Sequence, residues 1–151
     1  MVFNKTIVNW NEIHNNIELI NNRTLHLDGD NVAVIGIARG GLIPATLLSQ
    51  HKPNSVVFSI GIKSYIKTSR DKESIYQPLD QALLQNYSTL YLIDDICDTG
   101  LTYKFLLEKH FNNLKIYTIS LYCRDNSLYK PDFFGTKLLT DAWVVFPWEK
   151  E

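Results

Sequence analysis

The chain has 151 residues, 45% of them hydrophobic and 21% charged, with a formal net charge of -1; that is enough to build a core in one domain over residues 1–151 and excludes a disordered chain. The near-neutral charge argues against a broad nucleic-acid footprint, no apolar run approaches membrane-spanning length, and the opening MVFNKTIVNWNEIH turns polar too soon for a signal peptide. The two cysteines, Cys97 and Cys123, have neither CxxC nor Cys/His spacing, which excludes a zinc site of that type and fits a reducing cytoplasm.

In chain order, Asn9 with Glu12 three residues later marks a helix start, and Trp10, Ile13, Ile17 and Ile20 then fall on one helical face. LDGDN at 27–31 is a turn. VAVIGI (32–37) is a continuous apolar run, the mark of a strand buried on both faces. It leads through ARGG into LIPATLLSQ, a helix with Pro44 in its first turn. SVVFSIGI (55–62) is a second strand, and the polar stretch 63–80 reads as a long loop or lid. STLYLI (88–93) is a third strand, TYKFLLEKHF (102–111) a helix, LKIYTISLY (114–122) a fourth strand, and short β segments close the chain. Alternating strands and helices predict an α/β fold with a central, mostly parallel sheet flanked by helices. Ligands of such sheets bind beyond the carboxyl ends of the strands. ARGG, SY, DDICDTGLT and YCRD all follow strands there, so four polar segments converge on one rim.

DTGLT opens a helix, where free backbone N–H groups and the positive end of the helix dipole attract an anion. Gly100 lets the backbone approach a ligand, and Thr99 and Thr102 add hydroxyl donors. The set suits one phosphate monoester; read plainly, it is also a helix cap with a turn glycine. Asp94 and Asp95 point to opposite faces of a strand end. A carboxylate there accepts both hydroxyls of a ribose diol or supports Mg²⁺; the plain alternative is one capping acid and one solvated acid.

YLIDDICDTGLT resembles the 5-phosphoribosyl 1-diphosphate (PRPP) motif of type I phosphoribosyltransferases: a hydrophobic strand, two acids, two variable residues, then Asp-Thr-Gly-x-Thr. GIARGGLIPA resembles the family's diphosphate loop, Ser64-Tyr65 its flexible catalytic loop, and DAWVVFPWE the C-terminal segment of the xanthine, guanine and hypoxanthine branch. The resemblance covers essentially the whole chain and implies a small hood, built from the chain's ends, over the central sheet. It assigns Asp94 and Asp95 to the ribose hydroxyls and Mg²⁺, and Asp98 to the purine N7 as the catalytic acid/base. Asp98, Thr99, Gly100, Leu101 and Thr102 would wrap the 5′-phosphate, while Ala38, Arg39, Gly40 and Gly41 would receive the diphosphate, with a cis peptide before Arg39. Trp143 would stack on the base, and Val144 and Glu149 would contact its edge, with Trp148 packing structurally. Where the branch usually has a Lys reaching the oxygen at purine C6, this chain has Arg124, with Lys130 further along.

The resemblance thus implies Mg²⁺-dependent transfer of a phosphoribosyl group from PRPP to hypoxanthine, guanine or xanthine in purine salvage, by a cytoplasmic homodimer or homotetramer with no nucleic-acid or membrane partner. Two alternatives stand beside it: a PRPP-binding regulator without transferase activity, and a transferase for another nucleobase, because Arg replaces Lys.

Overall fold

The computed structural model describes residues 4–65 and 72–150. The elements are β1 (Lys5–Ile7), α1 (Trp10–Thr24), β2 (Val32–Ala38), α2 (Leu42–Ser49), β3 (Val56–Tyr65), β4 (Lys72–Gln77), β5 (Thr89–Cys97), α3 (Leu101–Lys109), β6 (Tyr117–Arg124), β7 (Phe133–Leu138) and β8 (Trp143–Val145), with 3-10 turns at Leu25–Leu27 and Gln81–Leu84. The main sheet has the order β4-β3-β2-β5-β6-β7. Its neighbours pair in parallel except β4, which runs antiparallel to β3 at one edge.

The buried strands read as unbroken apolar runs because both faces are covered. Val32 and Val34 of β2, with Tyr91 and Ile93 of β5, pack under α1 and α2 against Ile13, Ile17, Ile20, Ala45 and Leu48. The alternate residues Ala33, Ile35, Leu90 and Leu92 pack on the opposite face with Tyr103 and Leu106 of α3. Helix α1 begins with a capping box: Asn9 Oδ1 accepts from the Glu12 N–H and Glu12 Oε2 accepts from the Asn9 N–H, both at 2.9 Å. Ile13, Ile17 and Ile20 are buried as their spacing predicts, but Trp10 is 46% exposed at the helix start.

Two expectations are corrected. The stretch 63–80 is not one long loop: β3 continues to Tyr65 and β4 returns beside it, pairing Lys63 with Ser74 and Ile62 with Ile75. The segment reads as polar because β4 is an edge strand, where one side faces water. Residues 66–71, within the expected lid, lie outside the described residues. The second correction is β5, which runs through both acids to Cys97 instead of ending at Ile93. A hood is present: β1 and β8 form a parallel two-stranded sheet that joins the two ends of the chain, with Lys5 opposite Trp143. Among the described residues no helix is long and apolar enough to cross a membrane.

At the far end of the sheet from the polar rim, the buried Lys52 ammonium donates to Thr24 Oγ1 at 2.7 Å and to Asp28 Oδ2 at 2.8 Å. The Tyr91 hydroxyl donates to the other Asp28 oxygen at 2.6 Å. Burial pulls the Lys52 pKa down, although the Asp28 carboxylate opposes that shift. Removing one member of a buried pair strands the other charge, at a loss of about 3–5 kcal/mol. Asp28→Ala is therefore expected to lower the unfolding free energy in urea by about that amount; a change below about 1 kcal/mol would mean that the pair is not anchoring this end of the sheet.

Candidate active site

The chain passes from β2 through α2 to β3 on one side, then reaches β5 on the other side of β2. Helices α2 and α3 leave these adjacent strands toward opposite faces, so the carboxyl ends of β2 and β5 part around a crevice. A cleft of about 840 Å³ opens there, within the size range of small-molecule sites. Its walls include Ala38, Arg39, Gly40, Ser64, Asp94, Asp95, Thr102 and Trp143. Each wall comes from a different part of the chain: the loop after β2, the end of β3, the end of β5, the start of α3 and the hood.

Glu149, expected at the edge of the base, also lines the cleft, while most of the other expected residues surround it. Gly41 caps α2 and is buried. Asp98, Thr99, Gly100 and Leu101 form the turn into α3, with Gly100 at φ 86°, the left-handed region that favours glycine. A Cβ on Gly100 would also strike the carbonyl oxygen of Tyr129. Val144 is buried at the centre of the short strand β8, so its backbone is what it can offer a ligand. The Ala38–Arg39 peptide is cis.

A profile of the phosphoribosyl transferase domain family matches residues 6–150. A xanthine-guanine phosphoribosyltransferase of Nitratidesulfovibrio vulgaris is 30% identical, the match covering 95% of this chain and 84% of that one. One from Idiomarina loihiensis is 28% identical over 94% and 85%. Among solved structures, a purine phosphoribosyltransferase from Pyrococcus horikoshii superposes with a TM-score of 0.82 at 28% identity, covering 98% of this chain and 95% of that one.

The chain belongs to the phosphoribosyltransferase family.

The two acids of this phosphoribosyltransferase sit differently from an ordinary surface pair. Asp95 is buried and Asp94 half-buried at the end of β5. Asp94 Oδ1 accepts from the Asp95 N–H at 2.9 Å, and Asp95 Oδ1 from the Ile96 N–H at 2.7 Å. Neither carboxylate has a cationic side chain within salt-bridge distance among the described residues. Burial pushes the Asp94 carboxyl well above the usual range, and the charge of Asp95 adds to it. Burial raises Asp95 as well, against the stabilising bond from Ile96. Gly40 is the reason the two loops come so close: a Cβ there would lie on the Asp95 carboxylate. Burial pushes the neighbouring Cys97 thiol up to about 12, which leaves it unreactive at neutral pH.

Asp98, by contrast, has its side chain largely exposed and is held by Arg124, whose Nε donates to Asp98 Oδ1 at 2.8 Å. Arg124 is itself buried. Lys130 donates to the backbone carbonyl of Asp125 at 2.6 Å.

Three features escaped the sequence. Trp148, expected to pack structurally, does stack on Phe146 with centroids 4.9 Å apart, yet it also lines the cleft together with Glu149 and Lys150. The segment 127–129 backs the turn before α3: the N–H groups of Leu128 and Tyr129 donate to the Thr99 carbonyl, and the Ser127 hydroxyl donates to the Asp98 carbonyl. Strand β1, short and polar in sequence, supports Trp143 through a bond from the Trp143 N–H to the Asn4 carbonyl at 2.9 Å. The only sequence signal for any of these was Gly100, whose left-handed turn accommodates the Tyr129 backbone.

Because the folded-state pKa of Asp94 is raised, the native protein holds more protons than the unfolded chain at pH values between 3.8 and that higher value. Its contribution to stability is therefore largest at low pH and falls as pH rises through this window. In metal-free buffer with a chelator, Asp94→Asn is expected to gain stability relative to the parent progressively from acid to neutral pH. Urea unfolding across that range measures it, and a difference independent of pH would contradict the burial account.

Proposed function

We propose that this phosphoribosyltransferase moves the 5-phosphoribosyl group from PRPP to N9 of a 6-oxopurine, releasing diphosphate, as a purine-salvage enzyme. The names of its relatives support xanthine and guanine as acceptors. The observation that carries the reading is the convergence on one crevice of the acid pair, the loop after β2, the start of α3 and the Trp143 ring.

The chemistry asks for a site that stabilises charge on a leaving diphosphate while C1′ acquires oxocarbenium character. The turn into α3 supplies N–H groups and the Thr99 and Thr102 hydroxyls for the 5′-phosphate. Arg39, exposed at the cleft, and the backbone from Ala38 to Gly41 would receive the diphosphate. Asp94 and Asp95 would hold the ribose hydroxyls. They also offer hard oxygen donors with no cationic side chain paired to them among the described residues, a set that fits Mg²⁺, which would offset charge on the diphosphate when bound. Trp143, 65% exposed, offers a face on which a flat base can stack, and the Val144 backbone would meet its edge. Asp98, exposed and hydrogen-bonded on one oxygen, would hold the purine proton with the other. Ser64 and Tyr65, at the end of β3, would close over the reacting centre and keep water out.

Incubation with PRPP, Mg²⁺ and a panel of bases should yield diphosphate and a nucleoside monophosphate with the 6-oxopurines; no turnover with any base would favour a PRPP-binding regulator. Asp98→Asn should lower kcat by about 10²–10⁴ with little change in PRPP affinity, and an unchanged kcat in a folded variant would remove the acid/base role. Trp143→Ala should raise the base KM by the loss of about 1–3 kcal/mol of stacking. A comparable rise in the PRPP KM would instead place Trp143 on the sugar side.

A further inference from the structure

We infer that Arg124 is a positioning residue that ties the acid/base carboxylate to the base-stacking loop, and that it is not a free donor to the C6 oxygen. This rests on the transferase reading above. Nε donates to Asp98 Oδ1 at 2.8 Å, one terminal nitrogen donates to the Thr140 carbonyl at 2.8 Å, and the other to the Ala142 carbonyl at 3.1 Å. Three of the five guanidinium N–H groups are thus engaged, in three different directions, by groups from two separate loops.

The acceptors decide what the side chain does. Asp98 opens the turn into α3, whereas Thr140 and Ala142 lie in the loop between β7 and β8 and lead directly to Trp143. Arg124 ends β6, and the Asp125 N–H just after it donates to the Leu138 carbonyl at the end of β7, at 2.9 Å. One buried, planar cation therefore bridges the carboxylate and the segment that leads to the ring that would stack on the base. A Lys ammonium is a single point of charge on a flexible stem and does not reproduce a flat fork reaching three spread acceptors. The Lys→Arg departure in this chain has a consequence of its own: the position organises the base subsite through its neighbours.

Arg124→Lys distinguishes the two roles, because Lys is the residue expected of a direct C6-oxygen donor. The positioning role requires kcat to fall about 100-fold, the loss typical of a misplaced catalytic group. The base KM should rise and the PRPP KM should hold. In an Asp98→Asn background the further effect of R124K on kcat should largely vanish, because both changes remove the same placed carboxylate. Hydrogen exchange of the 139–143 amides should quicken in R124K while the β5 and β6 amides stay protected. A kcat within about twofold of the parent, losses that multiply in the double variant, or unchanged exchange at 139–143 each overturn the inference. R124Q, measured the same way, should show the same pattern; failure of both variants to fold also overturns it and makes Arg124 a residue of global stability. Absence of turnover in the parent with every base defeats the transferase reading, while the exchange comparison still decides whether Arg124 anchors the loop.

Discussion

The site depends on a close approach at the split between β2 and β5. The Asp95 carboxylate occupies the space that a Cβ on residue 40 would take, so the loop after β2 can lie against the end of β5 only because residue 40 is glycine. That contact brings a loop suited to an anion within reach of two carboxylates. Carboxylates so placed would repel a diphosphate brought to that loop. Under the proposed function a divalent cation held by the two carboxylates would offset that repulsion, so the acids and the anion loop would work as a pair.

Asp94 and Asp95 are held at the end of an otherwise apolar strand, with their carboxyls pushed up by burial. A sheet built only for stability would place hydrophobic residues there. At the far end of the same strand, Tyr91 on β5 joins Lys52 and Asp28 in a buried hydrogen-bonded network. The sheet is thus polarised, with an ion pair at one end and, among the described residues, acids without a cationic partner at the other. This is the distribution expected where ligand binding completes the electrostatics that folding leaves open.

Most of the sheet was legible in the sequence because parallel strands buried on both faces write themselves as apolar runs; 32–37 and 88–93 are such runs, and their alternate residues do fill the two separate cores. The crevice was legible too, since DDICDTGLT and ARGG carry the special residues that a sheet's ligand end requires. What was hidden lacks a periodic or compositional signature. The β3–β4 arm is polar because it is an edge, so it resembles a loop. Strand β1 is three residues long and fully exposed, and only pairing with β8 makes it a strand. The partners of Arg124 at Thr140 and Ala142 are backbone carbonyls, which any residue supplies.

A two-stranded sheet of three residues per strand has little stability of its own, and Trp143 projects from it largely exposed. The ring has no deep packing to fix it. Its order must come from its backbone, held on one side by Asn4 through β1 and on the other by the Arg124 fork just upstream. The same guanidinium holds Asp98. A base entering the proposed subsite would therefore meet a stacking surface and a proton acceptor tied together by one buried side chain, although the two belong to loops far apart in sequence. Selectivity for the base would then depend on how rigidly that link is kept, as well as on which donors face its edge.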